Sequence, residues 1–233
     1  MSIIISPKKV VRILAYIVIL LVVLAVLSQL YKYLFNQGED RYLTQILNMD
    51  VEKNFPTWYN SLSLLLCSSL LFIISIAKRK LKDPFFYHWI FLSILFFLMS
   101  TDEMIQLHEQ VISPIRNSLN TGGFLYFAWV IPAFIFGLLF LMAYLKFIVK
   151  LDSKTKILFI ISGFVYAFGA MGFEIISGKY VFEFGKNNLT YSLITTVEET
   201  LEMVGLILFT YALLNYLSTQ LSEVSISFSN KGE

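Results

Sequence analysis

Apolar residues along this chain come in long unbroken runs, not in the alternations that keep one face of an element in water. Six such runs stand out: Val10–Leu34, Trp58–Ala77, Phe85–Ser100 with a polar extension to Ser113, Phe124–Val149, Ile157–Ser177 and Leu189–Leu217. A helix needs about 20 apolar residues to cross some 30 Å of hydrocarbon. The pattern therefore predicts an all-α, polytopic membrane bundle of six transmembrane helices in one domain, with 218–233 as a short tail. No internal repeat accompanies it.

Composition sharpens this picture. The chain is 57% hydrophobic and 15% charged, which marks the lipid bilayer rather than water as its main solvent. Lys8, Lys9 and Arg12 precede a first run too long for a signal peptide and without a clear cleavage site, so the run reads as an uncleaved anchor. Cys67 is the only cysteine, which rules out an intramolecular disulfide or a cysteine-based metal cluster.

Basic residues collect at alternate ends of the runs. If those ends are cytoplasmic, that side carries 12 bases against 4 acids and the opposite side 6 bases against 12 acids. The positive-inside rule then puts both termini in the cytoplasm. It also places Asp50, Asp102, Glu103, Glu109, Glu174, Glu198, Glu199 and Glu202 toward the outer face.

The stretch 99-MSTDEMIQLHEQ-110 sets Asp102, Glu103, His108 and Glu109 at the edge of the third run. Ser100-Thr101-Asp102-Glu103 matches a capping box, which predicts that one helix ends near Ser100 and another begins there. On a straight helix Asp102 and Glu109 share a face, while His108 projects roughly 100° away among apolar residues. His108 could join them only if the helix bends, and Pro114 is expected to end or bend it. His88, at the other end of the same run, is about 30 Å away, so the two histidines cannot clamp one haem.

Glu174 interrupts an otherwise uncharged run, on a stripe with Gly163, Ala167, Ala170 and Gly178 that predicts close helix packing. Glu198 and Glu202 sit one turn apart in 195-TTVEETLEMVG-205, with Glu202 about 13 residues or ~20 Å into its helix. Carboxylates at such depth cost a few kcal/mol unless paired, protonated or metal-bound. Glu199 has a plainer option in headgroups, Lys179 or Lys186. In 50-DVEKNFPTWYN-60, Pro56 suits a helix's first turn and Trp58 with Tyr59 an interfacial belt, with Asp50 and Glu52 as further acids at the mouth.

Carboxylates with one imidazole suit a hard or borderline divalent metal ion such as Mg, Ca, Mn, Fe or Zn. The expected ligands are Glu174 and Glu202, followed by Glu198, Glu109, Asp102 and His108. A di-iron oxidase is disfavoured, because no Glu-x-x-His occurs and a second usable histidine is missing. Three classes remain: a metal-dependent hydrolase acting on a lipid or envelope substrate, a proton- or cation-coupled transporter using the same acids, and a structural or assembly protein. No serine-nucleophile motif, phosphate-binding loop or nucleic-acid surface is present.

The order D-x-E-x-N-x-P-T-W at Asp50 to Trp58, D-E-x4-H-E at Asp102 to Glu109, a lone Glu174, and E-E-x2-E-M-x-G at Glu198 to Gly205 resembles a group of uncharacterised bacterial multipass membrane proteins. The resemblance extends from about residue 45 to 217. It implies a bacterial inner-membrane location and brings no activity with it.

Overall fold

The chain was analysed as a computed structural model, which describes residues 6–35, 42–51 and 53–221. Glu39, Asp40, Arg41, Glu52, Lys231 and most of the predicted tail lie outside the described residues, where strands are absent and helices dominate. The helices are α1 (Pro7–Phe35), α2 (Tyr42–Ile46), α3 (Phe55–Lys80), α4 (Phe86–Ile105), α5 (Leu107–Leu119), α6 (Val130–Lys150), α7 (Ser153–Ala167), α8 (Glu174–Phe184) and α9 (Leu189–Gln220). A π-helical turn, Phe168–Phe173, joins α7 to α8 into one continuous rod. Among the described residues six helices, counting that rod as one, are long and apolar enough to cross a membrane.

α3 and α9 form the centre, each with most of its apolar span buried, while α1, α6 and the α7–α8 rod turn most of theirs outward. Apolar surface gains nothing from moving out of lipid, so helix pairing here relies on close approach and hydrogen bonds. The α3–α4 seam shows both. Ser61 and Ser100 each donate to the other's carbonyl, at 2.9 and 2.8 Å, and Ser68 and Ser93 repeat the clasp at 2.8 and 2.9 Å. The two clasps are seven residues apart on both antiparallel helices, so both fall on one face.

At the lysine-rich end an aromatic core closes the bundle. Trp89 is buried with its ring 5.0 Å from Phe147 and 5.0 Å from Tyr216, and Phe96 stacks on Phe209 at 4.8 Å. His88 belongs to this core, stacked on Phe147 at 5.4 Å, far along α4 from His108.

Several boundaries differ from those predicted. α4 does not stop at Ser100, whose hydroxyl is engaged with α3; it runs to Ile105 and ends at Gln106, which adopts a left-handed conformation with φ of 60°. Asp102, not Ser100, then caps α5 by accepting from the backbone N–H of His108 at 3.0 Å. α5 passes through Pro114, whose side is exposed so that water can satisfy the carbonyl it leaves unpaired. α6 starts six residues later than the fourth apolar run, because Gly123–Leu125 forms a 3₁₀ turn first. Pro56 does lie in the first turn of α3, capped by Asn54; Trp58 is exposed, whereas Tyr59 turns inward toward α1.

The predicted small-residue stripe carries only part of the packing. Gly163 faces open space, and the closest helix approach uses Gly205 of α9, where an added Cβ would stand 2.8 Å from the Tyr166 backbone nitrogen. Gly205→Ala should therefore force α7 and α9 apart at a cost of about 1–3 kcal/mol. Gly163→Ala should be neutral. Thermal unfolding of both variants in detergent checks this: a lowered midpoint for Gly205→Ala alone is expected.

Candidate functional site

At the end of the bundle opposite the lysines, the helices enclose a chamber of about 290 Å³. Asp50, Asp102, Glu103, Glu109, Glu174, Glu198, Glu199 and Glu202 all line it, together with His108 and Lys186. All six residues singled out as metal ligands from the sequence thus face a common space. Three backbone features bring them there.

The first is the left-handed Gln106. It breaks the α4–α5 line so that His108, which a straight helix would aim away, turns back until its Nδ1 is 2.8 Å from Asp102 Oδ2. A carboxylate accepts only, so Nδ1 carries the hydrogen and the ring is held in one orientation. The ring also packs at 5.2 Å from the Trp129 indole.

The second is the π turn. Its extra residue rotates everything after it by about 100° relative to a continuous α-helix. Glu174 is the first residue beyond the turn and accepts from Trp129 Nε1 at 3.0 Å. The third is Gly169 within that turn. A Cβ there would come within 3.0 Å of the Glu198 carbonyl and 3.1 Å of Glu202 Cγ, so its absence lets α9 approach the rod at the level of its acids.

α9 presents Glu198 and Glu202 buried, 7% and 9% exposed. Glu202 is in hydrogen-bonding reach of Tyr166, and Glu198 is in hydrogen-bonding reach of Glu174, a contact between two carboxyl groups that requires a proton between them. Glu198 Oε2 is fully buried and has no hydrogen-bond partner. Glu199 accepts from Asn60 Nδ2 of α3 at 2.8 Å, so it points into the bundle and not to headgroups, while Lys179 reaches Glu183 at 3.9 Å.

Asp50, between α2 and α3, accepts from the Tyr191 hydroxyl at 2.5 Å. Burial pushes its carboxyl above the usual range, helped by the Glu109 and Glu174 charges and opposed by Lys186 and the Tyr191 bond. Residues that sequence reasoning left out of the site are Glu103, Asn60, Trp129, Tyr166, Lys186 and Tyr191. Glu103 was legible as part of the same motif. The aromatic residues carried no signal, since a lipid-facing ring and a chamber ring look alike in a sequence this rich in both.

The donors ring the cavity without closing on a point. Among the described residues, no group of three or more His, Cys, Asp or Glu side chains is arranged to hold a metal ion as it stands. What the arrangement does supply is a cluster of carboxyl oxygens around one cavity. It also supplies a carboxylate pair, Glu174 and Glu198, that a positive charge must bridge for both to stay ionised.

Comparison with known proteins gives one match. No curated protein and no solved structure matches this chain. A family model described as a domain of unknown function, DUF8692, matches residues 14–217, from the first spanning helix to near the end of the last. The match covers every element that builds the chamber, and the chain belongs to the DUF8692 family.

Proposed function

We propose that the chamber is a divalent-cation site near the outer face of a bacterial inner membrane, and that with the ion bound it serves a hydrolase acting on a lipid or envelope substrate. The observation that carries this reading is Glu198. A buried Glu198 oxygen with no N–H or O–H donor from elsewhere in the protein, in contact with Glu174, is costly to maintain unless a proton or a metal cation lies between the two carboxyls. Oxygen donors from Glu174, Glu198 and Glu202 with one imidazole form a set that hard and borderline divalent ions accept.

Because the carboxylates surround the cavity instead of meeting, binding requires glutamate side chains to swing inward, which their length allows. Asp102 fixes His108 in the manner of a carboxylate that orients a histidine ligand. Such an ion supplies Lewis-acid polarisation of a carbonyl or phosphoryl oxygen. The chain's own contribution is to accept a proton at Glu109 on the mouth side and to exclude bulk water with Trp129 and Tyr191.

A proton- or cation-coupled transporter would use the same acids but needs a route to the opposite end. The aromatic cluster of Trp89, Phe96, Phe147 and Phe209 lies between the chamber and a second cavity of about 290 Å³ at the lysine-rich end, lined by Lys78, Asp83, Trp89, Phe147 and Tyr216, so a transporter would have to open that cluster. The lysine-rich ends of α3, α4, α6 and α7 support a cytoplasmic assignment for that face and for both termini.

Two measurements test this. Elemental analysis of purified protein should find stoichiometric divalent metal, with a chelator lowering the unfolding midpoint. Glu198→Gln should lose most of the metal, and Asp102→Asn should weaken it on the order of 10–100-fold. A metal-free parent protein indifferent to added divalents contradicts the reading. For topology, Asn187→Cys should react with an impermeant maleimide on intact cells, and Lys80→Cys and Ser153→Cys only after permeabilisation. The reverse labelling would invert the assignment.

A further inference from the structure

A bare metal ion does not account for the chamber's size or for its walls. At about 290 Å³ it reaches the lower end of small-molecule sites, which span roughly 300–1,000 Å³. Its lining also has two distinct chemistries. Carboxyl groups and the rings of Phe127, Trp129, Tyr166 and Tyr191 make up one part of it. Half-buried Met99 of α4, Ala133 of α6 and Ala170 with Met171 of the π turn add apolar lining.

Carboxylates interleaved with aromatic faces form the environment that an alkylammonium prefers, because the ring quadrupole and the negative charge both attract it without a directional demand. The chamber's rim already holds one such group. The Lys186 ammonium sits 5.0 Å over the Phe127 ring and 5.8 Å over the Tyr191 ring, within electrostatic reach of Asp50. It is a primary amine on an alkyl chain, placed between rings and carboxylate.

The small side chains of Ala133 and Ala170 and the adaptable thioethers of Met99 and Met171 give an alkyl chain a surface to lie against.

We propose that the chamber's organic ligand is an amphipathic primary amine, with its ammonium against Glu198, Glu174 and the Trp129 ring and its alkyl chain against Met99, Ala133, Ala170 and Met171. This deepens the reading of the chamber as a cation site and rests on it, but not on the presence of metal. Glu198 supplies the buried acceptor that lacks a donor. An ammonium satisfies it with up to three N–H groups.

The test uses octylamine with three controls: octanol, which keeps the chain without the charge; octanoate, which reverses the charge; and spermidine, which has amines without the chain. Each is titrated into purified full-length protein in nanodiscs, with and without chelator, following the unfolding midpoint and the fluorescence lost in Trp129→Phe. Octylamine alone should raise the midpoint and quench Trp129. Glu198→Gln should weaken it about 10- to 100-fold, the worth of a charge-assisted hydrogen bond. Lys186→Gln, which removes the competing ammonium, should tighten it.

If octanol matches octylamine, or the Gln variant binds as well as the parent, the proposal fails. Spermidine binding as well as octylamine would overturn the amphiphile assignment. Octylamine binding that persists in chelator when the parent protein carries no metal would remove the metal reading and leave this one standing. Stoichiometric metal with no response to octylamine would do the opposite.

Discussion

A carboxylate placed in hydrocarbon must find a partner, and this fold brings eight acidic side chains to one chamber and supplies donors to several of them. These donors are mostly neutral: Tyr191 to Asp50, Trp129 to Glu174, Asn60 to Glu199. Lys186 and His108 are the lining residues that bring positive or ionisable nitrogen. Glu198 is the point at which the protein's own donors run out.

Regular helices alone could not assemble this site. Gln106 in the left-handed region and the π turn before Glu174 each reorient a functional side chain by a fraction of a turn. Both sit at the level of the chamber. The lysine-rich half, by contrast, holds an aromatic cluster and a second cavity, and none of its described helices carries a π turn there. Gly169 and Gly205 let α9 pack against the rod closely enough for its acids to reach the cavity.

The spans were legible because hydrocarbon imposes a length and polarity that few other environments share. Glu174 and Glu202 could be singled out for the same reason: a charge in an apolar run has no neutral explanation. What could not be read was orientation. Ser100-Thr101-Asp102-Glu103 has the letters of a capping box, yet Ser100 is committed to a clasp with Ser61, a contact 39 residues distant in sequence. His108 seemed misdirected because helical periodicity was extended through Gln106, a residue with no special propensity for φ above zero. The π turn left a faint trace in the run Phe168-Gly169-Ala170-Met171-Gly172, whose two glycines also fit ordinary close packing. Tertiary contacts decided each of these positions, and local patterns carry no record of such contacts.

The account depends on acids from separate helices sharing one space. Cysteines at Glu174 and Glu198, in a chain with Cys67 replaced by Ser, test that most directly, using a short bifunctional thiol reagent on protein in native membranes. Efficient intramolecular cross-linking of Glu174→Cys/Glu198→Cys, with none when the second cysteine is moved to the outward-facing Val197, is the predicted result. Cross-linking absent at Glu198→Cys but present at Val197→Cys would mean that the two carboxylates point apart, and no common chamber would exist.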